Sequence, residues 1–119
     1  MGYYSDVRIK TTKKGFEALK IEIEKYNKEN NIKYSALDTA KTETYEDIVT
    51  LTWYNEKWYE GYEDVEAIKS ALSKIQEQGY SWTYARIGEN YDDIETEYNV
   101  QDDDLWEDLD IPIRREFED

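Results

Sequence analysis

Apolar and polar side chains alternate over residues 3–11, with Tyr3, Val7 and Ile9 on one parity and Asp6, Arg8 and Lys10 on the other. A period of two predicts a half-buried strand. The period then changes. Phe16, Leu19, Ile23 and Tyr26 line one face of a helix over residues 13–30, with Thr12 placed to cap it and Asn30-Asn31 to end it. Residues 32–47 carry Tyr34, Ala36 and Leu37 and then a run of threonines, which predicts a strand with one exposed face. Ile48 to Tyr54 is the clearest strand, because Val49, Leu51 and Trp53 share a face and the segment is β-branched and aromatic. A hairpin turn is expected within Glu43–Asp47, although no Asn-Gly pair marks it. Residues 55–62 read as a loop holding Trp58, Tyr59 and Tyr62. Val65, Ile68, Leu72 and Ile75 repeat the spacing of the first helix. Glu63 and Asp64 suit its positive N-terminal end, and Gly79 suits its stop. Residues 80–87 alternate again, with apolar groups on both faces, as in a central strand.

The order β-α-β-β-α-β is that of a ferredoxin-like α+β fold, a two-layer sandwich of two helices on one face of a four-stranded antiparallel sheet. The α+β domain is expected over residues 1–98. Residues 99–119 form an acidic C-terminal extension, either docked back on the domain or held out for a partner.

Composition narrows the chemistry. The 119 residues contain no Cys and no His. A disulfide framework, a Cys/His zinc site, a haem histidine and the usual Cys–His or Ser–His–Asp nucleophile systems are therefore excluded. The formal charge is -14. A surface that binds nucleic acid directly needs cations, so a cationic partner, such as a protein that itself binds nucleic acid, fits better. Twelve Tyr, four Trp and two Phe supply enough aromatic area to fill a small core despite the charge. No apolar run is long enough to span a membrane. The opening residues lack the basic start and apolar stretch of a leader peptide.

The charge is uneven. Eight basic and five acidic side chains give residues 1–33 a net +3; five and ten give residues 34–88 a net -5; two and fourteen give residues 89–119 a net -12. Two acidic groups stand out there. Glu89, Asp92, Asp93, Glu95 and Glu97 follow the last predicted strand. Calcium loops of the EF-hand kind need alternating oxygen ligands and a central Gly, which this segment lacks, so a solvated acidic loop or a face toward a basic partner is expected. The second group is Asp102, Asp103, Asp104, Glu107, Asp108, Asp110, Glu116, Glu118 and Asp119, interleaved with Leu105, Trp106, Leu109, Ile111, Ile113 and Phe117. Acidic-hydrophobic alternation marks segments that order on a partner. It equally suits apolar groups docking back while the acids face out. The aromatic cluster Trp53, Tyr54, Trp58, Tyr59 and Tyr62 reads as core, since only Lys57 stands near it and the RNA-binding consensus is missing. Arg8, Lys10, Lys13, Lys14 and Lys20 form a small basic set on the first strand and helix.

Three short blocks resemble a family of small uncharacterised bacteriophage and prophage proteins over about residues 1–98: Met1-Gly2-Tyr3-Tyr4-Ser5-Asp6-Val7, Lys57-Trp58-Tyr59-Glu60, and Arg86-Ile87-Gly88-Glu89-Asn90-Tyr91-Asp92-Asp93-Ile94-Glu95. No catalytic residue carries over from it. The resemblance implies a bacterial host cytoplasm and a phage-type accessory role, as with anti-CRISPR proteins and other nucleic-acid mimics that block host defences. Joined to the charge, it yields the expected function: a non-catalytic inhibitor of a host defence or nucleic-acid-processing protein, or nuclease complex, with a basic groove. The expected contacts are Glu89, Asp92, Asp93, Glu95, Asp102, Asp103, Asp104, Glu107 and Asp108 for charge and Trp106 as anchor. No cofactor, metal, membrane or direct nucleic-acid contact is expected. The alternatives are a phage structural or adaptor protein, or a small-ligand- or metal-binding α+β domain.

Overall fold

The computed structural model describes residues 2–113, 116 and 117. Met1 of the opening block and Glu118 and Asp119 of the acidic tail lie outside the described residues. The chain forms β1 (Ser5–Thr12), α1 (Lys13–Glu29), β2 (Lys41–Tyr45), β3 (Ile48–Glu56), α2 (Glu63–Glu77), β4 (Trp82–Gly88), β5 (Ile94–Asn99) and the short helix α3 (Trp106–Leu109). Among the described residues the strands form one five-stranded sheet in the order β2-β3-β1-β4-β5, with every neighbouring pair antiparallel. The β1-α1-β2 unit therefore straddles β3, and the β3-α2-β4 unit straddles β1. The result is an α+β fold, with α1 and α2 packed on one face of the sheet.

Local chemistry explains the boundaries. Thr12 caps α1 by accepting the Gly15 backbone N–H at 3.0 Å. Leu19 and Ile23 from α1, and Val65, Ile68 and Ile75 from α2, are buried against Val7, Ile9, Leu51, Trp53 and Tyr84 of the sheet. Each such side chain contributes about 1.5–3 kcal/mol over its exposed state. Gly79 follows α2 with a φ of +93°, a left-handed conformation that favours glycine. The β2–β3 hairpin turns through Glu46 and Asp47, inside the expected window, and Glu46 takes the positive φ. A bulge where β1 meets β3 places Asn55 at positive φ, held by a 2.8 Å bond from its N–H to the Asp6 carboxylate.

Two segments differ from the sequence expectation. Residues 32–40 are not strand. Ser35 and Asp38 form a reciprocal capping box, and Ala36–Thr39 becomes a 3-10 turn. The Trp53 indole N–H donates to the Ala36 carbonyl at 2.9 Å and ties that turn to the core. Only Lys41–Tyr45 remains for β2, and it is exposed throughout. The second difference follows β4. In place of a solvated acidic loop, residues 94–99 pair with β4 as the edge strand β5, so the sheet has five strands and not four.

Residues 109–113 and Phe117 lie on the face of the sheet opposite α1 and α2. Leu109, Ile111 and Phe117 are buried, and Ile111, Ile113 and Phe117 form a small second cluster with Ala85 and Ile87 of β4. The Thr83 hydroxyl donates to the Leu109 carbonyl at 2.5 Å, and the Lys10 ammonium donates to the Asp110 carbonyl at 2.8 Å. Beneath this segment Arg8 is buried. Its guanidinium donates to Thr52 at 2.9 Å and to the Tyr54 hydroxyl at 3.2 Å, with the Phe117 ring 4.8 Å away.

Candidate functional site

The three sequence blocks, far apart along the chain, meet at one end of the sheet. The Tyr3 backbone N–H donates to the Tyr59 hydroxyl, and the Tyr3 hydroxyl donates to the Asp93 carboxylate at 2.6 Å. The Asn90 N–H donates to the same tyrosine oxygen at 2.9 Å. Arg86 on β4 forms a two-pronged pair with Asp93, at 2.8 and 3.1 Å, and also donates to the Ser5 hydroxyl at 3.1 Å. The guanidinium, and then the Tyr3 hydroxyl, hold the Asp93 carboxyl down at about 2, well below its ordinary 3.8. Glu95, opposite Arg86 in the β4–β5 register, stands 3.8 Å from the same guanidinium. Burial, with Glu95 nearby, pushes the Tyr84 hydroxyl well above its ordinary value, and that hydroxyl accepts the Trp58 indole N–H at 3.0 Å. Gly88 sits where a side chain would run into both Asp93 and the Tyr3 hydroxyl, so the close approach of these groups requires glycine.

This convergence divides the first acidic group. Asp93 and Glu95 are partly buried and face Arg86. Glu89 is exposed but accepts the Tyr4 backbone N–H at 3.1 Å. Asp92 and Glu97 face solvent. Among the described residues no group of three acidic side chains is arranged to hold a metal ion.

The second acidic group is arranged differently. Gln101 anchors the chain by donating its N–H to the Ser81 hydroxyl at 2.8 Å and its side-chain amide to the Gln76 carbonyl at 3.2 Å. Asp102 then accepts the Asp104 N–H at 3.0 Å and starts a 3-10 turn that runs into α3. Leu109, fully buried, closes the turn. Between these two anchors Asp102, Asp103, Asp104, Glu107 and Asp108 are all exposed. Trp106 is 43% exposed and meets the Tyr98 ring edge-on at 5.9 Å. The turn thus presents five carboxylates around one half-open aromatic pair. Such a surface attracts cations and offers an apolar anchor.

Of the ten residues expected to touch a partner, the structure brings Asp102, Asp103, Asp104, Trp106, Glu107 and Asp108 together on this turn. Asp93 and Glu95 belong to the Arg86 cluster, Glu89 is tied to the chain start, and Asp92 stands alone on the β4–β5 turn. Tyr98 was missed as the support of Trp106; the alternation Ile94, Thr96, Tyr98 was the signal that could have found it. Trp53 and Trp58 are buried as expected for core, and their rings pack 5.4 Å apart, whereas Tyr54 and Tyr62 remain exposed. The basic set is split, with Arg8 buried and Lys13 and Lys14 exposed. No family model matches the chain, and neither the curated proteins nor the solved structures include a significant match to it.

Proposed function

We propose that this chain is a non-catalytic, phage-type inhibitor that binds a host defence or nucleic-acid-processing protein, in the manner of an anti-CRISPR protein. Its acidic surface takes the place of nucleic acid in a basic groove. The carrying observation is the anchored turn at residues 102–108, which carries five exposed carboxylates and the part-exposed Trp106. Carboxylates steer association with a basic groove over long range, and the aromatic pair adds a contact that salt does not screen. The resemblance to small phage proteins supplies the host context and the bacterial cytoplasm. The fold is read here as ferredoxin-like, with β5 added beside β4, because each β-α-β unit straddles one strand. No helix among the described residues is long and apolar enough to cross a membrane.

The test is capture of bacterial proteins on the tagged chain, washed at low and then moderate salt. A nuclease or other nucleic-acid-binding complex should be retained and should elute as salt rises. Nucleic acid should compete for it. Replacing Asp102, Asp103 and Asp104 by Lys together should weaken binding about 100-fold or more, taking about 1 kcal/mol per exposed charge. Trp106→Ala should cost about 2 kcal/mol. Affinity that survives both the charge reversal and high salt would reject mimicry.

A further inference from the structure

On the helix side of the sheet, Trp82 and Tyr84 of β4 are buried, whereas their partners on the edge strand β5 stay open: Asn99, beside Trp82, is half-buried and Glu97, beside Tyr84, is exposed. A cleft results between β5 and one stripe of α2. It has two lobes, of about 210 Å³ and 340 Å³. Drug-sized sites run from roughly 300 to 1,000 Å³, so the smaller lobe suits a ligand no larger than a single amino acid. Lys69 of α2 lines both lobes. In the larger lobe the Arg86 guanidinium is already engaged, with Asp93 and with Glu95. The smaller lobe is different. Lys69 and Glu97 both line it, carry opposite charges and stand too far apart to form an ion pair with each other. Neither has an ion-pair partner among the described residues. Trp82 lines the same lobe, and its buried indole N–H has no acceptor among the described residues. Buried donors are normally paired.

We propose that this cleft binds a small zwitterion, a free α-amino acid with an apolar or aromatic side chain. Its carboxylate meets the Lys69 ammonium, its ammonium meets the Glu97 carboxylate, and its side chain lies against Trp82 and Tyr84. The charge pattern selects this class. A simple anion would face Glu97 inside a chain of charge -14, and a simple cation would face Lys69. A ligand that carries both charges satisfies both walls. The cleft is separate from the turn at residues 102–108, and its occupancy needs no protein partner.

The test uses the full chain, titrated with free L-leucine and L-phenylalanine and, in parallel, with their N-acetyl and amide forms, each of which lacks one charge. The readouts are calorimetry and thermal melting. A free amino acid should raise Tm by roughly 5 °C at ten times its Kd. The two derivatives should bind at least tenfold more weakly. Lys69→Met should abolish the response while leaving the ligand-free melt in place. Glu97→Gln, on an exposed edge strand, should weaken it and carries the test should Lys69→Met fail to fold. No stabilisation by either amino acid, equal binding of the derivatives, or an undiminished response in the variants would each overturn the proposal.

Discussion

Asp93→Asn removes one charge from the cluster that joins the chain start to β4 and β5, and its effect on stability should depend on pH in a defined way. The wild-type carboxylate accepts two bonds from Arg86 and one from Tyr3. Its folded pKa is depressed to about 2 from an ordinary 3.8. At about 1.36 kcal/mol per pH unit this difference corresponds to about 2.4 kcal/mol. The side chain is 31% exposed, and solvent screening reduces the figure to about 1–1.5 kcal/mol. Because the folded value lies below the unfolded one, the stabilisation is fully present above pH 3.8 and is lost as pH falls through about 2. Asparagine cannot follow that titration. Urea unfolding of both proteins from neutral pH down to pH 2 isolates the effect, since the other carboxylates titrate equally in each. The difference, wild type minus variant, should be about 1–1.5 kcal/mol at neutral pH and should shrink toward the acid end. A difference that stays constant across the window, or one below about 0.3 kcal/mol at neutral pH, would refute the assignment of Asp93 as a charge-assisted clasp.

Other substitutions test the remaining parts. Gly88→Ala should cost about 2 kcal/mol or more, because the added methyl meets Asp93 and Tyr3, and combining it with Asp93→Ala should recover part of that loss in a double-mutant cycle by denaturation. Leu109→Ala removes a fully buried side chain under the last segment and should cost about 2 kcal/mol, seen as faster proteolysis near the C-terminus before global melting. Trp53→Phe loses the bond to the Ala36 carbonyl and should cost about 1–2 kcal/mol in urea, with amide exchange rising first in residues 36–39.

The elements visible in the sequence were those whose burial follows a simple period. Phe16, Leu19, Ile23 and Tyr26 announce α1, and Val65, Ile68, Leu72 and Ile75 announce α2, because each helix buries one stripe against the sheet. β5 was hidden because it is an edge strand: Glu95, Glu97 and Thr96 leave few apolar groups, and only Ile94 and Tyr98 carry the alternation. The turn at Ala36–Thr39 was hidden by competing signals, since β-branched threonines follow directly and the capping pair Ser35–Asp38 is short-range chemistry that periodicity does not weigh. The candidate site was half legible. Exposure of the 102–108 carboxylates follows from composition. The withdrawal of Asp93 toward Arg86 and Tyr3 depends on strand register and on a contact spanning 90 residues, neither of which local pattern encodes.

The place of β1 in the sheet has a consequence for synthesis. Ser5–Thr12 is translated before the other strands, yet it is the middle strand, flanked by Ile48–Glu56 on one side and Trp82–Gly88 on the other. A nascent chain can wind α1 early, but its first strand has no neighbour until β3 has emerged and keeps one open edge until β4 has. The underside of β1 and β4 stays uncovered until Leu109, Ile111, Ile113 and Phe117 arrive. Folding piece by piece from the N-terminus is therefore closed to this chain, and the pairings of β1 with β3 and β4 join segments far apart in sequence, which slows folding. Every translation product that stops before Trp82 carries a central strand with an unpaired edge, the feature that templates aggregation. Such fragments are expected to aggregate, which the soluble fraction of a chain truncated before Trp82 would measure.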